Sequence, residues 1–236
     1  MSDAARLCDA VEAVSEELWN LNVFMHDHVE TAFEERAAAS AVTRLLERHG
    51  FEVQRGLAGY DTAFRGTIGA SEPSATIAFV CEYDGLPPYG QSCGHNIVTA
   101  SSVGAGIALG PLADRLGIRI QVIGTPGEEG GGGKYRMADE GVFDAVDVAM
   151  LVYPGMYDIG ASRSLAALAV RVEFTGRPRT RRPIRNSAST HWTRWWPALP
   201  RSACSGSNCR RRPGYTGSSR MAVPCRWWCP TTQPRR

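Results

Sequence analysis

Ala75-Thr76-Ile77-Ala78-Phe79-Val80-Cys81 is a continuous apolar run that ends at Glu82-Tyr83-Asp84 and a Gly/Pro-rich loop. A run without polar alternation is what a strand covered on both faces requires. The flanking pattern agrees. Downstream, the small and apolar residues from Asn96 to Leu116 predict a buried helix. Ile118-Arg119-Ile120-Gln121-Val122-Ile123 predicts a strand that ends at Gly124-Thr125-Pro126. Gly130 to Gly133 predict a flexible turn, residues 134–140 a short helix, and residues 149–152 and 164–174 two further strands. Upstream, residues 4–20 and 30–48 carry apolar residues at helical spacing, the second stretch stopping at Gly50. Phe51-Glu52-Val53 and residues 62–66 predict short strands. Strand–helix–strand alternation predicts an α/β fold, with a largely parallel sheet and helices on both faces. No internal repeat is visible.

Composition breaks near Arg177. Residues 1–176 hold 12 Lys+Arg and all 24 Asp+Glu, a net charge of −12. Residues 177–236 hold 14 Arg and no Lys, Asp or Glu, a net charge of +14, so the overall +2 joins two unlike pieces. The second piece also holds five of six Trp, four of seven Cys and eight of fourteen Pro. With 25 Arg and one Lys in the chain, this is the composition of a GC-rich coding region read out of frame. The expected organisation is one compact domain over 1–176 and a disordered, frameshifted tail over 177–236.

A basic tail otherwise points to nucleic acid or an acidic membrane surface, and Cys204, Cys209, Cys225 and Cys229 would allow a zinc knot. No helical or strand period supports a fold there, so neither a nucleic-acid nor a membrane partner is expected. No basic start followed by an apolar run marks a secretory signal. Apolar stretches are broken by charge or Gly before eighteen residues, so no membrane span is expected. Cys8, Cys81 and Cys93 give no disulfide framework, which fits a reducing cytoplasm.

Chemistry concentrates in two motifs. Cys93-Gly94-His95-Asn96 sets a thiol and an imidazole two residues apart, a compact pair of soft metal ligands. Alone, such a pair reads as a buried Cys and a His satisfied by a backbone carbonyl. Gly94 shifts that reading, because it lets the loop turn tightly enough to bring both heads to one ion. Glu128-Glu129 follows Gly124-Thr125-Pro126-Gly127 and precedes four glycines. Two adjacent acids are ordinarily solvated, but this chain is shaped for close approach to a ligand. One carboxylate would ligate a metal and the other take a proton from water. A phosphate cradle lacks its following Lys-Ser/Thr. Asp84 reads either as a turn residue before Gly85 and Pro87 or as an acid that orients a ligating His. His26 and His28, near Glu30, read as surface histidines with a weak alternative as a site. Residues 82–84, 93–95, 128–129 and 153–154 all follow predicted strands, so they would converge on one sheet edge, where ligands bind in open α/β sheets.

Residues 82–87, Cys93-Gly94-His95-Asn96, the segment 124–134 and Gly141-Val142-Phe143-Asp144 resemble the metal-dependent amidohydrolase and carboxypeptidase family of aminoacylases, glutamate carboxypeptidase and p-aminobenzoyl-glutamate hydrolases. The branch of the last and its related dipeptidases is most similar. The likeness runs from about His28 to Pro178, with its motifs in the family's order. It implies a small-molecule substrate, an N-acyl amino acid, dipeptide or aminobenzoyl-glutamate-like amide, cleaved by metal-activated water. It also implies two divalent ions, zinc or manganese, in intact relatives. Carried over, Cys93, His95 and Glu129 resemble metal ligands, Glu128 the general base and Asp84 the orienting acid.

Tyr153 stands where many relatives have a ligating His, and an ordinary phenol, with a pKa of about 10, is a poor ligand. The family's lid domain, which also makes its homodimer, should begin after residues 174–178, where Arg179 and Thr180 follow and the likeness stops. The family's last metal-binding His has no counterpart, and His191 takes no role. The implied reading is a truncated, inactive amidohydrolase. A non-catalytic metal-binding α/β module and, further off, a basic-tail nucleic-acid binder are the alternatives.

Overall fold

The computed structural model describes residues 3–160, 166–172 and 223–229. The chain divides into two units, Met1–Asp158 and Ile159–Arg236. In the first unit, helices α1 (Asp3–Ala13), α2 (Ser15–Asp27) and α3 (Arg36–Arg48) precede strands β1 (Glu52–Arg55), β2 (Phe64–Gly69) and β3 (Ala75–Cys81). Then come α4 (His95–Leu116), β4 (Ile118–Gly124), α5 (Gly133–Asp139) and β5 (Val148–Met150). The sheet order is β1-β2-β4-β3-β5.

Strands β4 and β5 both lie parallel to β3, with Cys81 beside Gly124 and Phe79 beside Met150. Strand β2 is antiparallel to β1 and to β4. The expected largely parallel sheet therefore describes the half around β3, while the whole sheet is mixed. The difference follows from connection length. The loop over residues 56–63, with a 3-10 turn at Leu57–Gly59, returns the chain beside itself from β1 to β2, whereas α4 carries it back over the sheet to start β4 in the direction of β3.

Strand β3 explains its own apolar run. Ile77, Phe79 and Cys81 face the larger core with α2, α3 and α4, and Ala78 faces a smaller core with Leu57, Ile123, Met137 and Val142. Both faces are covered, as a run without alternation requires. Helix α4 is long and apolar enough, by length and composition alone, to cross a membrane, which corrects the expectation that no stretch would be. It is a core helix here, with Val98, Val103, Ile107 and Ala113 buried. Its glycines permit the packing. A Cβ on Gly106 would lie 2.5 Å from Val122 Cγ2, and one on Gly104 2.7 Å from Leu18 Cδ1. The Ser102 and Thr99 hydroxyls donate to the Val80 and Glu82 carbonyls, fastening α4 to the carboxyl end of β3.

Two helical expectations shift. The single helix over 4–20 breaks at Val14, and its second part runs on to Asp27. The helix predicted from residue 30 begins at Arg36. Residues 28–35 are a loop instead, in which Phe33 has a φ of 67°. Glu30 caps α3 from outside, its carboxylate accepting from the Ala37 and Ala38 amides at 2.9 Å each.

In the second unit, β6 (Ala166–Val172) pairs antiparallel with β7 (Val223–Cys229), Ala166 opposite Cys229 and Val172 opposite Val223. The strand expected over 164–174 is thus present. Within the stretch read as a disordered tail, Val223–Cys229 is a strand. The rest of that stretch, with Cys204, Cys209 and His191, lies outside the described residues.

Candidate metal centre

The carboxyl ends of β3, β4 and β5 lie side by side, so the segments that follow them meet at one edge. Gly94, at φ 79°, turns the chain into α4 and leaves His95 as its first residue. A Cβ on Gly94 would lie 2.8 Å from Pro154 Cγ, so glycine is what lets the Tyr153-Pro154 segment close over the helix start.

His95 is fully buried. Its Nδ1 lies 2.7 Å from the Asp84 carbonyl oxygen and 3.2 Å from Asp84 Oδ1. A carbonyl only accepts, so Nδ1 carries a proton and Nε2 is the ring atom presented to the site. Around Nε2 stand Tyr153 Oη at 3.2 Å, Glu82 Oε2 at 3.3 Å and Glu128 Oε2 at 3.9 Å. Burial pulls the ring's pKa down, but the bonds to Asp84 outweigh it and hold His95 above its ordinary value.

Asp84 reaches in two directions. Beyond His95, its Oδ2 accepts from the Glu129 amide at 2.9 Å. Burial alone would raise its carboxyl, but the His95 bond and the Glu129 amide keep it below the ordinary value. Cys93 donates its thiol to Glu129 Oε1. Burial and the Glu129 carboxylate push that thiol up to about 11, so it is protonated in the absence of a cation. Glu128 is raised by burial and by its neighbour Glu129. One donor atom from each of His95, Glu128 and Glu129 lie within 4.8 Å of one another.

Of the residues singled out from sequence, Asp84, Cys93, His95, Glu128 and Glu129 therefore come together. Tyr153 joins them as a phenol kept neutral, burial and the nearby Glu128 and Glu129 carboxylates pushing its hydroxyl well above the ordinary value. His26 and His28 do not join. They are exposed and bonded to Asp27 and to the Phe24 carbonyl, and Glu30 is spent on the α3 cap. The glycines of this loop allow close packing. Cβ atoms on Gly127 and Gly131 would meet the Phe33 ring at 2.6 and 2.5 Å.

One acid went unassigned in the sequence. Glu82 is 2% exposed, pairs through Oε1 with Lys134, and leaves Oε2 without a hydrogen bond beside His95 Nε2. Its signal was a carboxylate directly after an apolar strand, two positions before Asp84.

A buried carboxylate oxygen with no donor is costly unless a cation completes it. The unpartnered oxygen of Glu82, with the imidazole of His95 and the pair Glu128-Glu129, forms a donor set that fits a divalent ion, and the Cys93 thiol adjoins it through its bond to Glu129. Sulfur, nitrogen and oxygen donors together suit zinc, and the carboxylates equally suit manganese.

No family model matches the chain. It is 31% identical over 185 residues to the Xaa-Arg dipeptidase of Mus musculus, a match covering 73% of this chain and 43% of that enzyme. It is 33% identical over 191 residues to a p-aminobenzoyl-glutamate hydrolase component of Escherichia coli, covering 71% of this chain and 39% of that protein. Among solved structures, a dinuclear metal binding peptidase of the M20 family from Bacillus subtilis superposes with a TM-score of 0.53 at 25% identity, covering 58% of this chain and 42% of that one. The chain thus spans about two fifths of the length of the curated relatives it matches. By these likenesses, and by a fold that agrees with them, the chain is similar to metal-dependent amidohydrolases and peptidases over about two fifths of their length.

Proposed function

We propose that this domain is the metal-binding part of an amidohydrolase that cleaves the amide of a dipeptide, an N-acyl amino acid or an aminobenzoyl-glutamate-like molecule. The observation that carries the reading is the His95 ring. Its Nδ1 is tied to Asp84 and its Nε2 is aimed at a group of carboxylates. Cys93, His95 and Glu129 would hold a divalent ion, zinc or manganese. That ion would supply Lewis acidity, polarising an amide carbonyl and making water more acidic.

The chain's own groups would do the rest. Glu128 takes the proton of the attacking water and returns it to the leaving amine. Its raised pKa brings it closer to the neutral range, where a general base works best. Asp84 orients His95 and, through the Glu129 amide, the loop that carries the base. Lys134 offsets the charge of Glu82 next to the site.

Residues 1–236 would bind metal yet turn over slowly, because the likeness covers about two fifths of the relatives. The test is hydrolysis of p-aminobenzoyl-glutamate and a panel of dipeptides, with zinc or manganese added. Little or no product is expected from this chain. A rate within about tenfold of a full-length relative would contradict the claim of an incomplete site.

A further inference from the structure

Glu35 is a fully buried carboxylate that lies outside the cluster around His95. Three hydrogen bonds satisfy it. Its Oε1 accepts from the Phe33 amide at 2.8 Å and from the Gly127 amide at 2.8 Å, and its Oε2 accepts from the Thr62 hydroxyl at 3.1 Å. Gly127 immediately precedes the Glu128-Glu129 pair. On the other side of Glu128, the Glu129 amide donates to Asp84 Oδ2. The backbone flanking Glu128 is thus pinned at both ends by buried carboxylates from different parts of the chain. Asp84 adjoins His95, whereas Glu35 stands at the start of α3.

The Glu35 end also carries strain and packing. Phe33 is held at a φ of 67°, a costly conformation for a bulky residue. Its ring stacks on Tyr60, with centroids 4.9 Å apart, and lies against Gly127 and Gly131. One carboxylate therefore fixes both the wedge and the loop against which the wedge presses.

We propose that Glu35 is a positioning residue of the metal centre: through the Gly127 amide it sets where Glu128 and Glu129 present their carboxylates. The proposal rests on the functional reading above, and its test separates the two.

The full chain is compared with Glu35→Ala, Glu35→Gln and Val42→Ala. Val42 is buried in the same helix and touches no part of the loop's hydrogen bonding, so its truncation reports loss of stability alone. Hydrogen exchange without metal reads the clamp itself. In Glu35→Ala the Gly127 amide should exchange at least about tenfold faster, while β3 and β4 stay protected. Titration with Co2+, followed by its thiolate charge-transfer band, reads the consequence. Glu35→Ala should bind at least about tenfold more weakly, a usual loss for a group that orients a ligand. Glu35→Gln should recover most of the affinity, since its amide oxygen can still accept from Gly127 and Phe33 while its NH2 faces the Thr62 hydroxyl. Val42→Ala should melt lower and bind normally.

The proposal is overturned if Gly127 exchange is unchanged in Glu35→Ala, if that variant binds Co2+ as the parent does, or if Val42→Ala weakens binding equally. A parent chain that binds no Co2+ would sink the functional reading. Gly127 exchange would then still decide whether Glu35 holds the loop.

Discussion

His95 Nδ1 lies 2.7 Å from the carbonyl oxygen of Asp84, and the Asp84 side chain holds the Glu129 amide at 2.9 Å. One residue at the end of β3 thereby orients a ring at the start of α4 and a carboxylate after β4. Asp84→Asn keeps the carbonyl bond but removes the negative charge beside Nδ1. We expect metal affinity to fall by about tenfold to a hundredfold, read by calorimetry with zinc and with manganese. Unaltered affinity would mean that the backbone carbonyl alone orients His95.

Cys93 gives the centre a pH dependence of known sign. Its thiol is raised to about 11 in the metal-free protein, whereas a metal ligand must be a thiolate. Binding must therefore expel that proton, and a second one from the His95 ring wherever the ring is charged, so affinity should climb with pH by at least about tenfold per unit between about pH 6 and 9. Titrations in two buffers of different ionisation enthalpy would count the released protons. A pH-independent affinity would remove Cys93 from the ligand set.

Glu35 should leave a signature in stability of the opposite kind to a salt-bridged acid. Burial raises its carboxyl above the ordinary value despite the amide bonds that oppose the rise. A raised acid favours the folded state most when protonated. Its contribution is therefore full below the unfolded value of about 4.3 and fades as pH climbs through the folded one. Glu35→Gln cannot titrate. The melting temperature of Glu35→Gln minus that of the parent should increase as pH goes from about 4 to 8. A difference that is flat across that range would contradict the assignment.

Packing of α4 on the sheet is tight enough to test by addition. A methyl at Gly106 would lie 2.5 Å from Val122 Cγ2, and Val122 is fully buried in the middle of β4. Gly106→Ala should cost about 1–3 kcal/mol in urea unfolding, despite alanine's better helix propensity. A stabilised variant would show that α4 has room to move away from β4.

Much of this architecture was legible in the residues. The run from Ala75 to Cys81 marked a strand covered on two faces, and small residues marked α4 as a helix of the core. The convergence of Asp84, Cys93, His95 and Glu128-Glu129 followed from each motif lying just after an apolar strand. What stayed hidden depends on distant partners. Nothing local distinguishes Glu35 from the exposed Glu34, because the Gly127 amide that binds it is far along the chain. The late start of α3 was masked by Glu30, which caps the helix from outside its own first turn. Gly127 and Gly131 signalled close approach correctly, and the approaching group there is the Phe33 ring.

In the proposed centre Cys93, His95 and Glu129 hold a divalent ion. The most direct test is metal stoichiometry by mass spectrometry of the native protein, for the parent and for the double variant Cys93→Ser, His95→Ala. Zinc or manganese should be bound to the parent and none retained by the variant, with the fold intact by circular dichroism. The same stoichiometry in both proteins would contradict this ligand set and place the metal elsewhere in the chain.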